Sequence, residues 1–189
     1  MRKLVEFTCF SLLFIGLFFY FIHQHPDINA IVAPEKYNAT KMNHHAGMIY
    51  QGSADVPDSL SVADDPTFPI GTQAISIADH MGGMMDNIDV TIVGAYETTA
   101  YATTFTSAMN GEVVQNHKWI VHEELVGVGD EILSPGTKVV TTAAHMMGMK
   151  EATHTINFSE TTTVYMVDFF ASNGQQVTNH KWVTEEELR

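Results

Sequence analysis

His80-Met81-Gly82-Gly83-Met84 and His145-Met146-Met147-Gly148-Met149 carry one pattern, H-M-x-G-M, twice, with the histidines 65 residues apart. Each copy puts one imidazole and two thioethers into a single short loop. Thioether sulfur is soft, uncharged and keeps its lone pairs at any pH. Together with imidazole it selects copper, Cu(I) first and Cu(II) through histidine-rich geometry second, over hard ions such as magnesium or calcium. The glycine tolerates a sharp loop, so His80, Met81 and Met84 can converge on one point. A regular strand would send them alternately to opposite faces. His145, Met146 and Met149 can converge in the same way. The competing reading is a hairpin turn whose methionines close the end of a barrel.

Six of the 11 methionines sit in these two loops and in Met85, which follows the first. Methionine spread through a core fills gaps; methionine gathered beside histidine asks for another reason. A third cluster, Met42-Asn43-His44-His45-Ala46-Gly47-Met48, lies upstream and adds His44, His45 and Met48 as weaker candidate ligands. His117 and His180, in the repeated block Asn-His-Lys-Trp, are weaker candidates too. Their first reading is a hydrogen bond across a barrel, their second a ligand role if the block folds back onto the H-M-x-G-M loop. Trp119 and Trp182 read as core anchors. Glu123-Glu124 and Glu185-Glu186-Glu187 read as a solvated face.

The elements that position these residues repeat as well. Gly71-Thr72 matches Gly136-Thr137, Thr98-Thr99-x-Tyr101 matches Thr162-Thr163-x-Tyr165, Asn116 to Trp119 matches Asn179 to Trp182, and Glu123-Glu124-Leu125 matches Glu186-Glu187-Leu188. Repetition of this kind is a statement about architecture. Ile88, Val90 and Ile92 alternate with polar residues, as do Tyr165, Val167 and Phe169, and the composition is that of strands. Asn110-Gly111, Asn173-Gly174 and Gly82-Gly83 mark turns. The expected fold is all-β, with two tandem small barrels of about five strands each. Their bounds are 69–128 and 134–189, joined by a Gly/Pro-containing linker.

Before the repeats, residues 23–68 lack any sustained period and read as a flexible tether. Residues 1–22 open with Arg2 and Lys3 and continue as an apolar run from Phe7 to Ile22. A basic start and an apolar stretch make an export signal. No small-x-small cleavage site follows, so an uncleaved signal anchor is expected. That places the remainder outside the cell membrane; secretion after cleavage is the alternative. Cys9 is the single cysteine, which excludes an internal disulfide and a cysteine-built zinc site.

The net charge of −13 argues against nucleic acid as a partner and suits a cation. No nucleophile motif, phosphate-binding glycine loop or HExxH is present, so no enzymatic role is expected.

The tandem G-T-x-[AV] openings, H-M-x-G-M loops, T-T-x-Y strands and N-H-K-W-[IV] blocks closely resemble the YdhK-like family of bacterial surface proteins, which includes the copper-binding lipoprotein CopL. The resemblance covers residues 42–188 and both repeats. It implies barrels of SH3-like type and an extracytoplasmic copper-binding role in copper tolerance of Gram-positive cells. The departure is the lipid anchor, since Cys9 lacks a lipobox and a helix takes its place. The functional expectation is a membrane-attached protein that sequesters copper or hands it to a copper exporter. The rival is a cell-wall- or peptide-binding adaptor, which would need Trp119, Trp182, Tyr101 and Tyr165 exposed along a groove.

Overall fold

The computed structural model describes residues 52–189. The expected signal anchor, most of the tether and the cluster His44, His45 and Met48 lie outside the described residues. Among the described residues no helix is long and apolar enough to cross a membrane.

Among the described residues, seven strands form one antiparallel sheet: β1 Ser61–Val62, β2 Gln73–Ile77, β3 Asp86–Thr106, β4 Val113–Val121, β5 Lys138–Val140, β6 Thr153–Phe170 and β7 Gln176–Thr184. A one-turn helix, α1 His80–Gly83, sits between β2 and β3, and 3-10 turns at His122–Glu124 and Glu185–Glu187 follow β4 and β7. The all-β expectation holds. Asn110-Gly111 and Asn173-Gly174 do turn the chain between β3 and β4 and between β6 and β7, whereas Gly82-Gly83 lies in α1.

The sheet is organised by the two longest strands. β3 and β6 run antiparallel from Val90↔Phe169 to Phe105↔His154. Thr98 and Thr162, which hold the same place in their repeats, are paired with each other at the middle of this ladder. The register therefore has an approximate two-fold symmetry, and each repeat lends half of its long strand to the other. β2 pairs with the start of β3, and β7 with the end of β6. After β7 the chain returns to the outer edge of β2, where Arg189 N donates to Ile75 O at 3.0 Å and Ile75 N to Arg189 O at 2.8 Å. In the other half β4 pairs with the end of β3 and β5 with the start of β6. Val126, just past the first 3-10 turn, then donates its N–H to Val140 O at 2.8 Å.

The cores follow this exchange, not the repeat boundaries. One joins Ala74, Met85, Val90 and Ile92 of the first repeat to Tyr165, Val167, Phe169 and Leu188 of the second. Another joins Tyr101, Phe105 and Ile120 to Val139, Met149 and Ile156. A third packs Trp119 and Trp182 with Ala100, Val121, Val164 and Met166. Units 69–128 and 134–189 thus meet a single sheet whose packing mixes them. The physical reason is the length of β3 and β6: 21 and 18 residues against about 5–6 for a common strand. Strands that long extend past one small core and complete a second.

Candidate metal centre

The block Asn-His-Lys-Trp lies on β4 and again on β7, and these two strands lie against each other. Asn116 and Asn179 both take φ of 50°, a left-handed conformation that asparagine adopts more readily than most residues. The ladder register shifts beside each of them, between Thr103 and Phe105 and between Val167 and Phe169. Such irregularities re-aim side chains. Here His117 and His180 turn into a cavity of about 380 Å³ lined also by His80, His145, Met146 and Lys118. His80 reaches it from α1 and His145 from the loop between β5 and β6.

The four imidazoles form two equivalent pairs. The ring centres of His80 and His180 are 6.3 Å apart, and those of His117 and His145 are 6.4 Å apart. His180 and His117 pack edge-on against Phe169 and Phe105. Among the described residues, His80 Nδ1, His145 Nδ1, His117 Nε2 and His180 Nε2 are buried with no hydrogen-bond partner. Buried nitrogens rarely go unsatisfied, and here the same atom is left free at each pair of equivalent positions.

The opposite ring edges of His80 and His145 are held. His80 Nε2–H donates to Glu187 Oε1 at 2.9 Å, and His145 Nε2–H to Glu124 Oε1 at 2.7 Å. With Nε2 engaged in this way, Nδ1 is the nitrogen left free in each of these two rings. Each carboxylate is fixed in turn: Glu187 Oε2 accepts from Trp119 Nε1 at 2.9 Å and Thr184 N at 3.1 Å. Glu124 Oε2 accepts from Trp182 Nε1 at 3.2 Å and Val121 N at 3.1 Å. A carboxylate behind a histidine is the usual outer support of a metal-ligating imidazole. The solvated-face reading of Glu124 and Glu187 is corrected by these contacts. The signal was in the repeated Glu-Glu-Leu, whose leucine tucks the 3-10 turn inward.

Burial opposes ionisation of Glu187, yet the hydrogen bond and charge of His80 and the Trp119 N–H hold its carboxyl down at about 2. Glu124 is lowered as well, His145 overcoming the effect of burial. Burial, then the neighbouring imidazoles of His80 and His145, push His180 down to about 3. Burial and its histidine neighbours place His117 well below the ordinary range. Both rings are therefore neutral near pH 7, the state that ligates metal.

A second grouping is tighter but differently built. Asp79, His80 and Glu187 bring ligand-type atoms within 4.8 Å of one another. Lys118 Nζ already lies 3.1 Å from Asp79 Oδ1 and 3.6 Å from Glu187 Oε1. Ala144 stands where Asp79 would recur in the second repeat. This grouping is an ion-pair network that orients His80.

The methionines divide. Met146 lines the cavity beside His145. Met84 is half-buried and does not line it. The side chain of Met81 lies outside the described residues. Met149 is fully buried in a core and does not line the cavity. Its counterpart is Met85, also fully buried, rather than Met84. The histidine loops are 65 residues apart but Tyr101 and Tyr165 only 64, so the second loop is one residue shorter. Counting from the strand aligns the core methionines. His117 and His180, the weaker candidates, are central to the cavity.

Sheet and cavity together define an all-β repeat protein with a buried, imidazole-lined centre. The DUF1541 family, described as a protein of unknown function, matches residues 70–122 and 135–185, one segment in each repeat. The chain belongs to this family. It is 45% identical over 152 residues to the uncharacterized protein YdhK of Bacillus subtilis (strain 168), spanning 80% of this chain and 74% of that protein. The crystal structure of the DUF1541 family protein YdhK from Bacillus subtilis is similar with a TM-score of 0.71 at 46% identity, covering 76% of this chain and 98% of that one. The solution structure of the YdhK C-terminal domain is similar with a TM-score of 0.59 at 47% identity, covering 64% of this chain and 91% of that one.

Proposed function

We propose that this chain binds copper, as Cu(I) in the first place, through His80, His117, His145 and His180, with the Met146 thioether beside them. The observation that carries the reading is the set of four buried, unpartnered imidazole nitrogens around one cavity. Two of those rings are backed by carboxylates. A purely structural core would be expected to give these ring nitrogens partners within the protein, since a buried polar group left unsatisfied costs about 1–3 kcal/mol. Imidazole with thioether suits copper by softness. No reaction is proposed; metal enters and leaves by ligand exchange.

In this reading the two halves of the sheet are the SH3-like barrels implied by the family, each completed by the partner repeat's long strand. The apolar segment 7–22 attaches the protein to the cell membrane and holds residues 23–189 outside. His44, His45 and Met48 serve as auxiliary ligands on the tether. The protein would limit copper entry or pass the ion to an exporter. The adaptor alternative loses its support, because Trp119, Trp182, Tyr101 and Tyr165 are buried at 4%, 0%, 0% and 0% exposure.

The test is a Cu(I) titration of the full chain in detergent against a chromophoric chelator. Wild type is expected to remove copper from a modest competitor, and a variant with all four histidines changed to Asn is expected to lose most of that capacity. A wild type that takes no copper overturns the reading. A four-fold variant that folds and binds as wild type moves the ligands elsewhere.

A further inference from the structure

We infer that the cavity holds two Cu(I) ions in equivalent positions, each built across the repeats: one between His80 and His180, the other between His145 and His117. This rests on the copper reading of the cavity and specifies how it is occupied.

Ring spacing bears on whether one ion is shared or two are held. A bond of about 2.0 Å from nitrogen to metal puts an imidazole centre about 3 Å from the ion. Two rings on opposite sides of a two-coordinate ion are then roughly 6 Å apart. The observed separations of 6.3 and 6.4 Å match that arrangement in both pairs. A single tetrahedral ion would need all four nitrogens gathered together. Among the described residues the trio with ligand atoms within 4.8 Å of one another is Asp79, His80 and Glu187, and no three of these four histidines form one. Two-coordinate geometry is natural for d¹⁰ Cu(I). The cavity of about 380 Å³ exceeds many times the ~30 Å³ share of one water, so volume does not limit it to one ion.

Each pair is a built site. The side chains of His80 and His145 are 4% and 9% exposed. His80 Nδ1 and His180 Nε2 are free in one pair, His145 Nδ1 and His117 Nε2 in the other. Glu187 holds His80 and Glu124 holds His145. Every ion would thus take one histidine from each repeat, and the supporting carboxylate comes from the repeat opposite its histidine. Neither repeat contains a complete site.

That arrangement gives a pattern of losses no other pairing shares. The full chain carries His44→Ala, His45→Ala and Met48→Leu as background, so that the tether adds no copper. Stoichiometry is read by Cu(I) titration and metal analysis after gel filtration. The background protein is expected to hold two ions. H80N/H180N and H117N/H145N should each hold one. H80N/H117N, two changes within a single repeat, should hold none. One ion in the background protein overturns the two-site inference and leaves copper binding intact. One ion retained by H80N/H117N overturns the cross-repeat pairing. No ion in the background protein overturns the copper reading itself. If a double variant loses its near-ultraviolet tryptophan signal, H180N and H117N alone decide: each should lower the count from two to one, and an unchanged count overturns the inference.

Discussion

His80 Nε2 and Glu187 Oε1 meet at 2.9 Å although 107 positions separate them in the chain. Each belongs to a different repeat, and His145 with Glu124 repeats the contact in the opposite sense at 2.7 Å. The exchange of β3 and β6 makes both contacts, so the geometry of the centre depends on the β3–β6 ladder.

Glu187→Gln keeps the shape but removes the charge behind His80. Losing such an outer support typically costs 10–100-fold in metal affinity. Glu187→Gln and Glu124→Gln are each expected to weaken Cu(I) binding by about 10-fold or more. Competition with a chromophoric chelator measures this. Equal affinity in wild type and both variants would show that the carboxylates serve only the tryptophan N–H groups.

Met146 and Met149 should part company. Met149 is fully buried beside Tyr101, Phe105 and Ile156, so Met149→Ala is expected to cost about 2–5 kcal/mol by opening a cavity. Met149→Leu, nearly volume-conserving, should cost less than about 1.5 kcal/mol and leave copper affinity unchanged. Met146→Leu should do the reverse: weaker Cu(I) binding with little change in the unfolding midpoint. Urea unfolding and copper competition on the same samples separate the two roles.

Acid should unfold the metal-free protein early. His180 titrates at about 3 when folded and near 6.5 when unfolded, so the unfolded chain binds the extra proton between those values. Stability from this group is fully present above pH 6.5 and is lost as pH falls toward 3. His117, also lowered, acts in the same direction. Glu187, held at about 2 when folded against an ordinary 4.5, adds a loss between those two values. Thermal unfolding from pH 7 to pH 4 should show a falling midpoint, and His180→Asn should flatten that slope. A midpoint independent of pH over this range would contradict the buried, neutral state of both rings.

The residue types that build the centre were legible because they repeat: His80 with His145, His117 with His180. Their division into pairs was not. Pairing follows from a strand exchange, and hydrophobic alternation along β3 or β6 reads the same whether the partner strand comes from its own repeat or the other. The all-β class was likewise carried by composition and turns, whereas one sheet in place of two was set by strand length, which no Asn-Gly or Gly-Gly pair interrupts between Asp86 and Thr106. Glu124 and Glu187 look like surface charge in any local window. Only the distant His145 and His80 give them an inward role.

The loop that carries His145 and Met146 should be the more sensitive of the two to its glycine. Gly148 has φ of +78°, and a Cβ there would lie 2.1 Å from Ser107 Oγ. Gly83 has φ of +82° but open space where its Cβ would go. Gly83→Ala therefore meets only the left-handed backbone penalty, about 1–2 kcal/mol. Gly148→Ala meets that penalty and a clash that forces Ser107 or the loop to move. Gly148→Ala is expected to lower the unfolding midpoint more than Gly83→Ala does, and to weaken copper binding by displacing His145 and Met146. Pairing Gly148→Ala with Ser107→Gly, which removes the clashing hydroxyl, should recover part of the loss. No recovery would mean that the backbone angle and the close approach to Met109 N, 3.1 Å from the added Cβ, set the cost, with the loop held in place by Ala108 N–H donating to Gly148 O at 3.0 Å.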